Sequence, residues 1–242
     1  MAARGNREQI VIATKVGMAK GLEGLAGETI RRACEASLER LGIERIDLYY
    51  AHRDDPETPL EETLGAFAGL IEEGRISHAG ASNYSPARLE QALEAGRAEG
   101  LASYVALQPH YNLLERSEYE GQLAGVVERH GLACLPYYGL ARGFLSGKYR
   151  REGAGSDSPR AQSVRDAYMN ERGFAALAVL DGIAAAHETS LAAVALAWLA
   201  AQPTVVAPIA SATSVAQLAE LTASAELELS AAELDALNAA GG

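Results

Sequence analysis

Short apolar runs alternate along the chain with longer segments of helical period. The runs occupy 10–16 (IVIATKV), 46–52 (IDLYYAH), 77–82 (SHAGAS), 104–109 (YVALQP), 133–138 (ACLPYY) and 205–210 (VVAPIA). They are apolar nearly throughout, which predicts strands buried on both faces. Between them, Ile30, Ala33, Cys34, Ser37, Leu38 and Leu41 recur at helical spacing, as do Leu60, Leu64, Phe67 and Ile71. The stretch SPARLEQALEAG predicts a helix capped by Ser85, with Pro86 in its first turn and Gly96 just past its last. Residues 190–202 are apolar nearly all round, as in a helix packed on a sheet. Ser230 and Glu233 have the spacing of a capping box.

Strand–helix alternation predicts a parallel sheet with helices outside it. No GxGxxG occurs, so the Rossmann fingerprint is absent. The pattern predicts an α/β fold of the (β/α)8 TIM-barrel type, incomplete, with about six of its eight βα units present. Residues 148–171 show neither period and read as a long loop or lid.

Bulk properties narrow the functional classes. The 242 residues carry a formal net charge of -11. That balance argues against a nucleic-acid or anionic-membrane surface. Cys34 and Cys134 are far apart in sequence and form no metal-like cluster, so both are expected to be reduced. No apolar run reaches the roughly 18 residues of a transmembrane helix, and the first ten residues have no signal-peptide core. A cytoplasmic location follows as an expectation.

Polar side chains collect at the carboxyl ends of the runs. Lys15, His52, Ser82 with Asn83, Gln108, Tyr137 with Tyr138, and Ser211 with Thr213 each close one. A single lysine or histidine there is commonly a solvated terminus or a structural residue. Six strands ending alike point to one shared site on a barrel rim. Strand parity places Val11, Ala13 and Lys15 on one face, and Leu48, Tyr50 and His52 on one face. An ammonium and an imidazole in a partly dry pocket suit polarising a carbonyl or tuning a phenol. Arg53, Asp54 and Asp55 read as a solvated exit turn. A kinase reading of His52-Arg53-Asp54 fails, because the required Asn is Pro59. GFLSGKY is no P-loop, since Arg142 stands where a glycine is needed. His52, Asp54 and Asp55 are too nearly contiguous for a metal site.

Six segments together resemble the aldo-keto reductases, NADPH-dependent (β/α)8-barrel oxidoreductases. They are VIATKVG, IDLYYAHRDDPETPLEETLGAF, GRISHAGASNYSPARLEQAL, LQPHYNLLER, LPYYGLARGFLSGKY and APIASATSVAQLAEL, in family order and over essentially the whole chain. The resemblance implies reduction of small aldehydes or ketones to alcohols by hydride transfer, with a tyrosine donating the proton. It implies that Lys15 lowers the pKa of that tyrosine and that His52 orients the carbonyl. Ser82, Asn83 and Gln108 would hold the nicotinamide carboxamide, and Tyr137 would stack on its ring. Leu140, Arg142 and Gly143 would wrap the pyrophosphate. Ser211, Thr213, Gln217 and Glu220 would form the adenosine and 2′-phosphate pocket. NADP is the implied cofactor, with NAD possible, because no Arg or Lys lies between 206 and 242. No metal is implied, and the oligomeric state stays open.

The family motif DTAxxYG, with the tyrosine and the aspartate that pairs with the lysine, does not occur in these residues. The expectation is a single barrel domain over 1–242 lacking the first two βα units and impaired in catalysis. The alternative is a non-catalytic nicotinamide-nucleotide-binding protein that senses or docks a partner subunit.

Overall fold

Parallel strand pairing organises the amino-terminal half. The computed structural model describes residues 5–151 and 161–242. It forms two compact units, Met1–Gln108 with Val126–Ala133, and Pro109–Gly125 with Cys134–Gly242.

The first unit runs β1 (Ala13–Val16), a hairpin of β2 (Met18–Ala19) and β3 (Leu22–Glu23), α1 (Gly27–Leu41), β4 (Ile46–Ala51), α2 (Leu60–Glu72), β5 (Ile76–Ser82), α3 (Pro86–Glu99) and β6 (Tyr104–Gln108). α4 (Gln122–His130) and the two-residue β7 (Ala133–Cys134) follow. The sheet order is β1-β4-β5-β6-β7. The pairs β1–β4, β4–β5 and β5–β6 are all parallel. Among the described residues β1 has a neighbour on one side only, so the sheet they form is open. The fold is α/β, consistent with an incomplete barrel.

The helix signals act as read. Ser85 accepts a hydrogen bond from the Arg88 N–H, and Pro86 opens α3. Edge-to-face contacts chain Tyr49, Phe67, Tyr104 and Tyr84 into a core, with centroids 5.8, 6.1 and 5.6 Å apart.

The second unit holds α5 (Ala161–Tyr168), α6 (Glu171–Ala186), α7 (Leu191–Ala200), α8 (Val215–Thr222) and α9 (Ala231–Gly241). Ser190 caps α7, whose residues from Ala192 to Leu199 are all buried. The capping box of Ser230 and Glu233 is complete at α9. Trp198 of α7 is fully buried and donates its indole N–H to Asn238 Oδ1 at 2.9 Å. Among the described residues no single helix is long and apolar enough to cross a membrane.

Five expectations about element bounds need correction. The first strand starts at Ala13, not residue 10, and Val11 is 75% exposed. The run 133–138 gives a strand of only two residues. The run 205–210 gives none: it hangs on single bonds from Val206 N–H to Cys134 O and from Ile209 N–H to Pro136 O. Pro208, inside it, has no N–H to donate. Gly96 does not end α3. The helix continues to Glu99, and Gly100 at φ 64° caps it. Gly96 instead allows close packing, since a Cβ there would lie 2.8 Å from Ala102 O. Of the expected loop 148–171, residues 152–160 lie outside the described residues, and 161–168 form α5. Ala161, Val164 and Tyr168 give α5 a buried face that its charged neighbours hide in the sequence.

Asp54 and Asp55 are pinned, not a free solvated turn. The Arg88 Nε–H reaches both Asp54 oxygens, at 3.0 and 3.1 Å. Asp55 accepts from the Leu25 N–H at 2.7 Å, the Thr58 hydroxyl at 2.8 Å and the Glu57 N–H at 3.2 Å. Burial pushes the Asp55 carboxyl up, but these bonds outweigh it and hold it below its ordinary pKa. Asp55→Ala strands the N–H of Leu25, a residue 1% exposed. A loss of roughly 1–3 kcal/mol in urea-unfolding stability is the expected outcome, and an unchanged midpoint would refute the pinning.

Candidate functional site

The first unit brings together the side chains that close its strands. Lys15 lies on β1 directly opposite Tyr50 of β4, and Ser82 of β5 lies opposite Gln108 of β6. His52 follows β4 and donates its backbone N–H to Val16 O at 2.9 Å. The Ser82 hydroxyl donates to Gln108 O at 2.8 Å. The Asn83 amide donates to His52 O at 2.9 Å and to Ser82 Oγ at 3.1 Å. Asn83 sits at φ 55°, in the left-handed region that asparagine tolerates better than most residues. That turn folds its side chain back onto the ends of β4 and β5. Ser82 and Gln108 are buried, while Lys15 and His52 are half-buried.

Charge and burial set the state of the two titratable groups. Burial lowers the Lys15 pKa from its ordinary value. The His52 pKa is lowered by burial first, then by the charges of Lys15 and Arg53. The imidazole is therefore neutral at neutral pH, with one N–H to donate and one lone pair to accept.

The second unit builds a cavity of about 470 Å³. Tyr137, Leu140, Arg142, Gly143, Ser211, Thr213, Gln217 and Glu220 all line it. Its wall also includes Tyr138, which closes the same run as Tyr137, and Ser146 and Lys148, which the strand-end pattern does not reveal. Lys148 adds a basic residue to the wall from the loop after residue 146, outside 206–242. The only sequence signal for it is its place in GFLSGKY.

Two local features shape this cavity. The wall segment is strained, with Tyr138, Ala141 and Arg142 at φ 57°, 47° and 57° and Gly143 at φ 98°. Bonds from Ala141 N–H to Tyr138 O and from Gly143 N–H to Leu140 O, at 2.7 and 2.8 Å, hold it. The Arg142 guanidinium lies 5.0 Å from the Tyr138 ring centroid, and its buried Nε has no partner among the described residues. Such an orphaned donor suits an anion. Opposite, Ser214 caps α8 through the Gln217 N–H, and Gln217 Oε1 accepts from Thr213 N–H and Oγ, both at 2.9 Å. Tyr137 stacks on His110 with centroids 5.3 Å apart and planes 13° from parallel. The residues present therefore fit a phosphate-bearing, ring-bearing ligand.

Comparison with known proteins places the chain in a family. The model of the Aldo/keto reductase family matches residues 1–241. Probable aldo-keto reductase 1 of Glycine max is 33% identical, over 94% of this chain and 66% of its own length. L-glyceraldehyde 3-phosphate reductase of Escherichia coli K12 is 32% identical, over 88% of this chain and 64% of its own. A probable voltage-gated potassium channel subunit beta of Arabidopsis thaliana is 32% identical, over 88% and 67%. The chain spans about two thirds of the length of these relatives.

Two histidines make stability depend on pH. Burial lowers the pKa of His110 as well as His52; at His110 burial outweighs the opposing charges of Glu115 and Glu118, and the charge of Arg142 adds to the lowering. The unfolded chain protonates them near pH 6.5, whereas the folded protein resists to lower pH. More protons bind the unfolded state in that window, so stability falls as pH falls. Urea titrations at pH 7 and pH 5 are expected to show this loss, and the double variant His52→Gln, His110→Gln a smaller one. Equal losses in both proteins would contradict the assignment.

Proposed function

The chain belongs to the aldo/keto reductase family, and on that premise we propose that it binds NADP and serves hydride transfer to small aldehydes or ketones. The observation that carries this reading is the second-unit cavity, where Arg142 and Lys148 meet Ser211, Thr213, Gln217 and Glu220. Arg142, Lys148 and the backbone around Gly143 take the phosphates. Ser211 and Thr213 offer hydroxyls, Gln217 an amide, and Glu220 an acceptor for ribose hydroxyls. Two cations in the wall favour NADP over NAD. Tyr137, backed by the His110 ring, presents a flat face for a nicotinamide.

In the first unit, Ser82, Asn83 and Gln108 offer donors and acceptors to a carboxamide. When bound, the reduced nicotinamide supplies the hydride. Neutral His52 points a carbonyl oxygen by donating one N–H, and Lys15 stabilises negative charge developing near it. The proton itself lacks a donor of the family type, since DTAxxYG does not occur in these 242 residues. Cofactor binding and turnover are thus expected to separate. Absence of turnover beside tight binding also fits the second reading, a nucleotide-binding protein that docks a partner, which the relative named as a channel subunit favours. A cytoplasmic setting goes with either.

Calorimetric titration with NADPH and NADH tests the reading. Tighter binding of NADPH is expected, with Arg142→Ala costing about tenfold in affinity through one lost charge-assisted contact. Lys148→Ala is expected to narrow the preference over NADH. Absence of binding to either would remove the proposal. Oxidation of NADPH with 4-nitrobenzaldehyde is expected to be slow in the 242-residue chain, and brisk turnover would overturn the account of the proton donor.

A further inference from the structure

We propose that Tyr50 is a positioning residue for Lys15, its ring seating the ammonium at the end of β1. The proposal rests on the role given to Lys15 above. Parallel register sets the two residues directly opposite on one face of neighbouring strands. Lys15 Nζ lies 5.9 Å from the Tyr50 ring centroid. Among the described residues Lys15 makes no ion pair, and its pKa is moved by burial alone. A half-buried ammonium with no anion either sheds its proton or turns out to water. An aromatic face offers a third course, because its negative quadrupole attracts the cation.

The ring is held in place from the other side. Tyr50 is 1% exposed, and its next neighbour across the sheet is Gly80. A Cβ on Gly80 would stand 2.6 Å from ring Cε1 and 2.7 Å from Cδ1. Only glycine leaves the ring its room there, so Gly80 admits the Tyr50 ring to its place beside Lys15. A ring differs from a carboxylate in one useful respect: it holds the cation without neutralising it. The charge stays available to neighbours, and it reaches His52, whose protonation it opposes.

The test is the titration of Lys15 in the 242-residue protein, read by NMR of the ¹³C-dimethylated amine. At the outer limit of cation–π range, Tyr50→Leu is expected to lower the Lys15 midpoint by about 0.5 pH unit. Tyr50→Phe, which keeps the ring, is expected to leave it where it is. An unchanged midpoint in Tyr50→Leu, or equal shifts in both variants, would overturn the proposal. If Tyr50→Leu does not fold, the unaltered protein decides. Its Lys15 ε-methylene protons should resonate upfield from the ring current, and random-coil positions would overturn the seat. Neither measurement involves nucleotide or substrate. A shifted midpoint without NADPH binding would remove the functional reading alone, and tight binding with an unmoved midpoint would remove the seat alone.

Discussion

The parallel register of β1, β4, β5 and β6 is the constraint on which the first unit depends. Parallel strands end on the same side, so whatever closes each strand is delivered to one rim. Lys15, His52, Ser82 and Gln108 reach it by that rule alone. A slip of one residue would turn Lys15 and Tyr50 to the opposite face. The register also lines up Lys15, Tyr50 and Gly80 across three strands. Small, large and charged residues there answer one another's shapes. A bulge between Ala79 and Gly80 adjusts the next pairing just where the Tyr50 ring needs space.

The second unit works by different means. Its site residues come from loops and one helix end, so no ladder aligns them. Local strain does that instead. Three non-glycine residues in the left-handed region within 138–142 are costly in isolation, roughly 1–3 kcal/mol each. They persist because Phe144 and Leu145, just beyond, are fully buried and anchor the segment. The strain turns the Arg142 side chain over the Tyr138 ring and into the cavity wall. Asn83 does a similar job in the first unit with a single left-handed residue.

Much of this was legible in the chain, and the reasons differ by residue. Strand ends are visible because apolar runs stop at polar residues, and Lys15, His52, Ser82 and Gln108 were found that way. Caps at Ser85 and Ser230 are legible because a cap is a local bond between nearby residues. The run 205–210 misled, because apolar composition does not report that a proline removes a donor. Gly96 misled because a glycine that permits close packing looks the same as one that ends a helix. Asp54 and Asp55 looked solvated because their partners, Arg88 and the Leu25 N–H, are some thirty residues away. Lys148 was missed for the same reason: only folding places it in one wall with Thr213 and Gln217.

A chain of net charge -11 that builds an anion-accepting cavity is no contradiction. Many of its acids are engaged elsewhere: Glu73 pairs with Arg31, Glu90 with Arg129 and His130, Glu171 with Arg151, and Asp181 with Arg150. These pairs lie on the surface, where each is worth little. Among the described residues, Arg142 and Lys148 form no ion pair, and Glu220 is the one acid in their cavity. Two cations against one carboxylate leave the lining net positive. A phosphate responds to that local balance more than to the total, because charges beyond about 8–10 Å are largely screened at physiological salt.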